Sequence, residues 1–267
     1  MNIKIIYPLL VIVTVFWFGC QKDEVVFEDP KPSRDYPRKV PLLWNQLYLK
    51  IERFTPGYKP PVSARNMAYI NLSAYEAVVP GSAFKYKSMA SKMEGFVPVE
   101  IDDHLSYNWE VCAQAAYEKA FELFFPTAPA EQQFQMLEIG HQLRTELELG
   151  VNPSEFERSY EYGQRVAEAI YQWSMTDTWG HEGYLRNIDG YYFPPEGTGN
   201  WKPTYPDFAP ALLPHWGKVR TFSASNEETV ADPPAFDTNE GSQLNREARI
   251  TYDWVNKIKA GQDEESY

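Results

Sequence analysis

Apolar residues Trp44, Leu47, Tyr48, Ile51 and Phe54 recur at three- and four-residue steps, the spacing that stacks side chains along one face of a helix. A second helix is expected after Pro60-Pro61-Val62-Ser63. Ala64, Met67, Ala68, Leu72 and Tyr75 line one side of it and Ile70, Ala74 and Ala77 another, so most of its circumference should be buried, and Pro80-Gly81 ends it. Val111, Ala115, Ala116, Ala120, Leu123 and Phe124 carry a third helix that stops at Pro126. Met136, Ile139, Leu143 and Leu147 carry a fourth that stops near Gly150. The fifth should start at a capping box, Ser154 with Glu157, and continue through Phe156, Tyr160, Val166, Ile170 and Trp173. A final helix is expected from about Ser242 to Lys259, with a frayed tail from Gly261 to Tyr267. The pattern is that of an all-α body, a helical bundle.

After Thr178 the period disappears. A long segment follows that is dense in aromatic residues, proline and glycine, among them Trp179, Tyr184, Tyr191, Tyr192, Phe193, Trp201, Tyr205, Phe208 and Trp216. Ordered loops of this length tend to be functional. The plainer reading is a wrap anchored by its aromatics over the helices. No repeat of fixed period occurs, which argues against a solenoid.

The amino terminus has a different pattern. Lys4 precedes an apolar run from Ile5 to Phe18 that ends at Gly19-Cys20, the layout of a signal peptide. That run is short of the roughly twenty residues a spanning helix needs. An uncleaved anchor is the alternative. A small residue before a cysteine suits lipoprotein processing, so residues 1–19 are expected to be removed and Cys20 lipidated. Several acyl chains on one cysteine hold a protein to a membrane without a transmembrane helix. Gln21-Lys22-Asp23-Glu24 resembles a signal that sorts lipoproteins to the cell surface, so the expected location is lipid-anchored, at the outer membrane or cell surface. Residues 20–40, with Pro30, Pro32 and Pro37, read as a flexible spacer. Residues 41–267 form the helical domain.

Loss of residues 1–19 removes one charge, Lys4, and takes the formal balance from -12 to -13. Such a surface repels nucleic acid. With Cys20 acylated only Cys112 remains, too few for an internal disulfide, and it is expected in the core.

Four histidines are present, His104, His141, His181 and His215. His181-Glu182 invites a zinc-protease reading, but position 185 is Leu185 where a second histidine would be needed. His104 and His141 are expected to face solvent or make ordinary hydrogen bonds. No Gly-rich phosphate loop, paired-cysteine zinc site or Gly-x-Ser-x-Gly elbow occurs. The nearest thing to a site is Trp179 through Asn187 together with His215 through Arg220. His181, Glu182, Arg186, His215 and Arg220 are its candidate pocket residues or their supports, and the cluster is either a pocket wall or a set of ion pairs tying the wrap down.

Phe54-Thr55-Pro56-Gly57-Tyr58 running into Pro60-Pro61-Val62-Ser63-Ala64-Arg65, and Ala74 through Gly81, resemble the opening of lipoproteins in the vanadium-dependent haloperoxidase and type 2 phosphatidic acid phosphatase superfamily. Gly180 through Asn187 and Leu213-Pro214-His215-Trp216-Gly217-Lys218-Val219-Arg220-Thr221-Phe222 do so as well. The resemblance implies a helical bundle and a site for phosphate or vanadate. In the family that site uses a Lys followed by Arg-Pro, a Pro-Ser-Gly-His, and a Ser-Arg with a later His. A tetrahedral oxyanion needs such fixed cations and N–H groups, one His at the central atom and another to move protons. This chain has no Arg-Pro and no Ser-Gly-His, and its one Ser-Arg, Ser33-Arg34, lies in the spacer. The resemblance therefore implies the amino-terminal part of such a protein, a truncated copy or one piece of a split gene, with no catalytic residue or cofactor of its own. Its partners would be the membrane, through the lipid, and a missing carboxy-terminal half or a second copy. Two other functions stay open: a surface lipoprotein that binds a glycan or other ligand on its aromatic segment, and an enzyme using His181 or His215 with Arg186 and Arg220.

Overall fold

Pro41 sits within the first turn of a helix, where its missing N–H costs nothing, and the chain is helical from Lys39 to Ile51 (α1). The computed structural model describes residues 31–261 except 223, 226, 227, 229 and 233; the lipidation expected at Cys20 falls outside them. The other helices are Pro60–Val78 (α2), Trp109–Phe124 (α3), Ala130–Glu148 (α4), Pro153–Met175 (α5) and Gln243–Lys259 (α6). No β-strand occurs among the described residues, only an isolated antiparallel bridge between Ile188 and Leu212. The body is an all-α bundle, as the apolar periodicity predicts. No helix of the described residues is long and apolar enough to cross a membrane.

The compact unit begins at Pro32, and Val40 is buried. The last residues assigned to the spacer therefore belong to the folded body. Helices α3 and α5 make the most extensive pairing, α2 lies against both, and α1 and α4 pack on α3. Gly163 of α5 permits the close approach: a Cβ there would overlap the carbonyl oxygen of Cys112 and stand 2.9 Å from the Cβ of Ala115. Trp44, Ile51, Tyr69, Phe121, Phe125, Tyr162 and Ile170 are almost wholly buried around this contact. Each large apolar side chain contributes about 1.5–3 kcal/mol by leaving water. The Trp44 indole donates to Gln114 Oε1 at 2.8 Å, which satisfies two polar groups inside that core. Cys112 is fully buried, as expected.

Three local expectations need correction. Phe54 leaves the α1 stripe, because α1 stops at Ile51 and a 3-10 turn over Glu52–Phe54 rotates the ring outward, where it is exposed. The cap of α5 is Asn152, whose side chain accepts from Ser154 N at 3.0 Å, and Ser154 is the second helical residue. Pro153 explains the shift, since proline is favoured at the first helical position and moves the start two residues earlier. In α2 most of the circumference is buried, but Ala64 and Ala68 are exposed while Arg65, Asn66, Ser73 and Glu76 are buried. Polar partners within the fold, which an apolar pattern cannot reveal, turn that face inward.

Candidate functional site

Beyond α5 the chain runs without regular structure except for short 3-10 turns, and its path is fixed by one buried ion pair. Arg65 of α2 and Asp177 just after α5 are about 5% and 3% exposed at their side chains. Arg65 Nε donates to Asp177 Oδ2 at 3.1 Å, Nη2 lies 3.1 Å from the same oxygen, and Nη2 donates to Ser174 O at 3.1 Å. Asp177 Oδ1 accepts from Gly180 N at 3.2 Å and Arg220 N at 3.3 Å. One carboxylate thus holds the start of the segment and a point forty-three residues on. Glycine is required at 180, because a Cβ there would overlap both Asp177 Oδ2 and Arg65 Nε.

The candidate cations take up similar internal duties. Arg220 Nη1 donates to Trp173 O at 2.9 Å, Nη2 donates to Thr176 Oγ1, and the guanidinium lies 4.5 Å from the Trp173 ring centroid. Arg186 donates to the carbonyls of Thr178 and His181. Tyr184 stacks on Tyr58 at 5.3 Å, and Phe222 meets Tyr69 edge-on at 4.7 Å. Asn187 Nδ2 reaches Gly57 O at 3.0 Å, and Leu213 N reaches Asn187 O at 2.7 Å. Both sequence readings of the segment hold in part: aromatics and ion pairs fasten a wrap, and the wrap forms a cavity.

That cavity, about 390 Å³, is lined by Trp179, Arg186, Asp189, Tyr191, His215 and Trp216 among others. His215 Nε2 and Asp189 Oδ2 are 2.8 Å apart, and Tyr191 N donates to Asp189 Oδ1 at 2.8 Å. The hydrogen bond from His215, then that from Tyr191 N, holds the Asp189 carboxyl below its ordinary range. Of the five residues expected from sequence, Arg186 and His215 meet in this cavity. His181, Glu182 and Arg220 do not line it. His181 packs edge-on against Tyr171 at 5.7 Å, and its Nε2 is 4.0 Å from Glu182 Oε1. Burial pushes the His181 pKa down, Glu182 opposes this, and Arg65 and Arg186 add to the lowering. His104 and His141 are exposed. Sequence reasoning missed Asp189 and Asp177. The signal available was an acid placed on irregular backbone beside titratable and aromatic neighbours.

The bundle has a solved counterpart. It is a crystal structure titled as the first bacterial vanadium-dependent iodoperoxidase, similar with a TM-score of 0.66 at 26% identity over 85% of this chain. This chain spans 53% of that one, about half its length. No protein-family model matches the chain. No curated protein matches it either. The likeness is one of fold, to the vanadium-dependent haloperoxidases at the level of the superfamily.

Vanadate or phosphate would need several cations converging with a histidine on one anion. Arg65 is neutralised by Asp177, whose carboxylate occupies its donors, and Arg186 and Arg220 are directed at backbone carbonyls. In the cavity His215 faces a carboxylate. As placed, Arg65, Arg186, Arg220 and His215 do not converge on a tetrahedral oxyanion. Among the described residues, no group of three or more His, Cys, Asp or Glu side chains could hold a metal ion.

Proposed function

We propose that this chain is the amino-terminal scaffold portion of a lipid-anchored protein of the vanadium-dependent haloperoxidase and phosphatidic acid phosphatase type, catalytically silent by itself. The observation that carries the reading is the commitment of Arg65, Arg186 and Arg220 to internal acceptors, so that these three do not form a cationic cage. The half-length match to the iodoperoxidase supports it. So does α6, none of whose residues is buried. Its Leu244, Ala248, Thr251, Val255 and Ile258 follow alternating steps of four and three, the spacing of a seam that packs on another helix. In the complete protein a carboxy-terminal half would supply both that helix and the anion site.

The test is to assay the purified full chain for peroxide-dependent iodide and bromide oxidation with vanadate, and for phosphomonoester hydrolysis. No turnover is expected. Turnover that disappears in His181→Ala or Arg220→Ala would overturn the proposal. The anchor is tested separately: Cys20→Ala should move the protein from the membrane fraction to the soluble fraction.

A further inference from the structure

The cavity in the wrap has chemistry of its own. Tyr191 is 92% exposed, so its ring remains open to solvent, and Trp216 forms a second aromatic surface; the Trp179 ring is 42% exposed but already has the His215 ring at 4.9 Å and Lys218 Nζ at 4.4 Å from its centroid. Aromatic faces left in water on ordered backbone favour a ligand with a flat apolar side. The polar group between them is Asp189, held in place from both oxygens by His215 and the Tyr191 N–H. Each carboxylate oxygen keeps lone-pair capacity after one hydrogen bond and can accept from a hydroxyl.

Charge narrows the choice. Arg186 is the guanidinium in the lining and is directed at the carbonyls of Thr178 and His181, so an anionic ligand would meet the Asp189 carboxylate with no cation of the lining aimed at it. A chain of formal charge -12 adds to that repulsion. Lys218 Nζ lies over the Trp179 ring, 4.4 Å from its centroid, which sets a like charge against a cationic ligand and takes that ring from a ligand of any charge. A neutral ring with C–H groups on one face and hydroxyls at its rim satisfies both the aromatic walls and the acceptor. The volume of about 390 Å³ is at the small end of ligand pockets, which run from roughly 300 to 1,000 Å³, and suits one or two such rings.

We propose that the cavity lined by Trp179, Tyr191 and Trp216 binds a neutral sugar, stacking a pyranose ring on Tyr191 and Trp216 and taking hydroxyl hydrogen bonds on Asp189. The site does not rest on whether the chain is catalytically silent: Arg186 and His215 enter both arguments, and here Arg186 is held by two carbonyls and His215 by Asp189. The full chain is titrated with maltose, cellobiose and N,N′-diacetylchitobiose, following tryptophan fluorescence with calorimetry as a check. Choline and inorganic phosphate serve as the charged comparisons. At least one disaccharide should saturate with a Kd of about 1 mM or tighter, and neither charged probe should bind as well. Tyr191→Ala and Asp189→Asn should each weaken that binding at least tenfold, about 1.4 kcal/mol, with thermal melting unchanged for the exposed Tyr191 variant. His104→Ala, on the exposed surface away from the wrap, should bind as the parent does. Failure of all three disaccharides, tighter binding of choline or phosphate, or sugar binding unaffected by Tyr191→Ala and Asp189→Asn would each overturn the proposal.

Discussion

Replacing Asp177 with alanine removes the acceptor for three hydrogen bonds, one from Arg65 Nε and one each from the N–H groups of Gly180 and Arg220, and the ion-pair partner of Arg65 Nη2. It also leaves the Arg65 guanidinium, about 5% exposed, with Ser174 O and the face of Tyr69 at 4.4 Å as its remaining named partners. Breaking one side of a buried pair costs about 3–5 kcal/mol, mostly because the surviving charge stays out of water. Against a total stability of about 5–15 kcal/mol this is a large fraction. In urea, at a slope of about 2 kcal/mol per molar, the midpoint should fall by roughly 1.5–2.5 M. Intrinsic fluorescence is a suitable signal, since Trp179 and Trp216 report on the wrap and Trp44 on the bundle. The double variant Arg65→Met with Asp177→Ala should recover most of the loss, because removing both charges removes the stranded one. An Asp177→Ala midpoint within 0.5 M of the parent, or a double variant no better than the single, would refute this account of how the wrap is held.

The His181 pKa is lowered by burial, so the unfolded chain takes up the proton first as pH falls. The stability from keeping it neutral is fully present above the unfolded value of about 6.5 and is lost as pH drops toward the folded value; His181→Gln should remove that slope in urea titrations between pH 7.5 and 5. Burial pushes the Cys112 thiol far above its ordinary range, so a thiol reagent should leave it unmodified in the native protein, and one further thiol per chain should react in denaturant. The exposed seam of α6 should drive concentration-dependent self-association in sedimentation, which Val255→Glu with Ile258→Glu should abolish while helix content stays the same; a parent chain that sediments as a monomer at all concentrations would contradict the seam.

The helices were legible because burial imposes a period, and the period survives in Trp44, Leu47, Tyr48 and Ile51 and in Val166, Ile170 and Trp173. The same rule misplaced the buried side of α2, where Arg65 and Glu76 are accepted inward because Asp177 on one side, and Ser88 with the Met89 N–H on the other, complete their hydrogen bonding. Those partners come from 112, 12 and 13 residues away in the chain, and no local pattern announces them. The site divided along the same line. Residue type singled out His181, Glu182, Arg186, His215 and Arg220, but only geometry separates a histidine facing a carboxylate in a cavity from an arginine laid on a tryptophan. An arginine whose donors meet carbonyls, a hydroxyl or a partner acid within the fold is positioned for architecture, and Arg65, Arg186 and Arg220, each so engaged around one segment, explain how a long aperiodic stretch can be ordered without a sheet or helix.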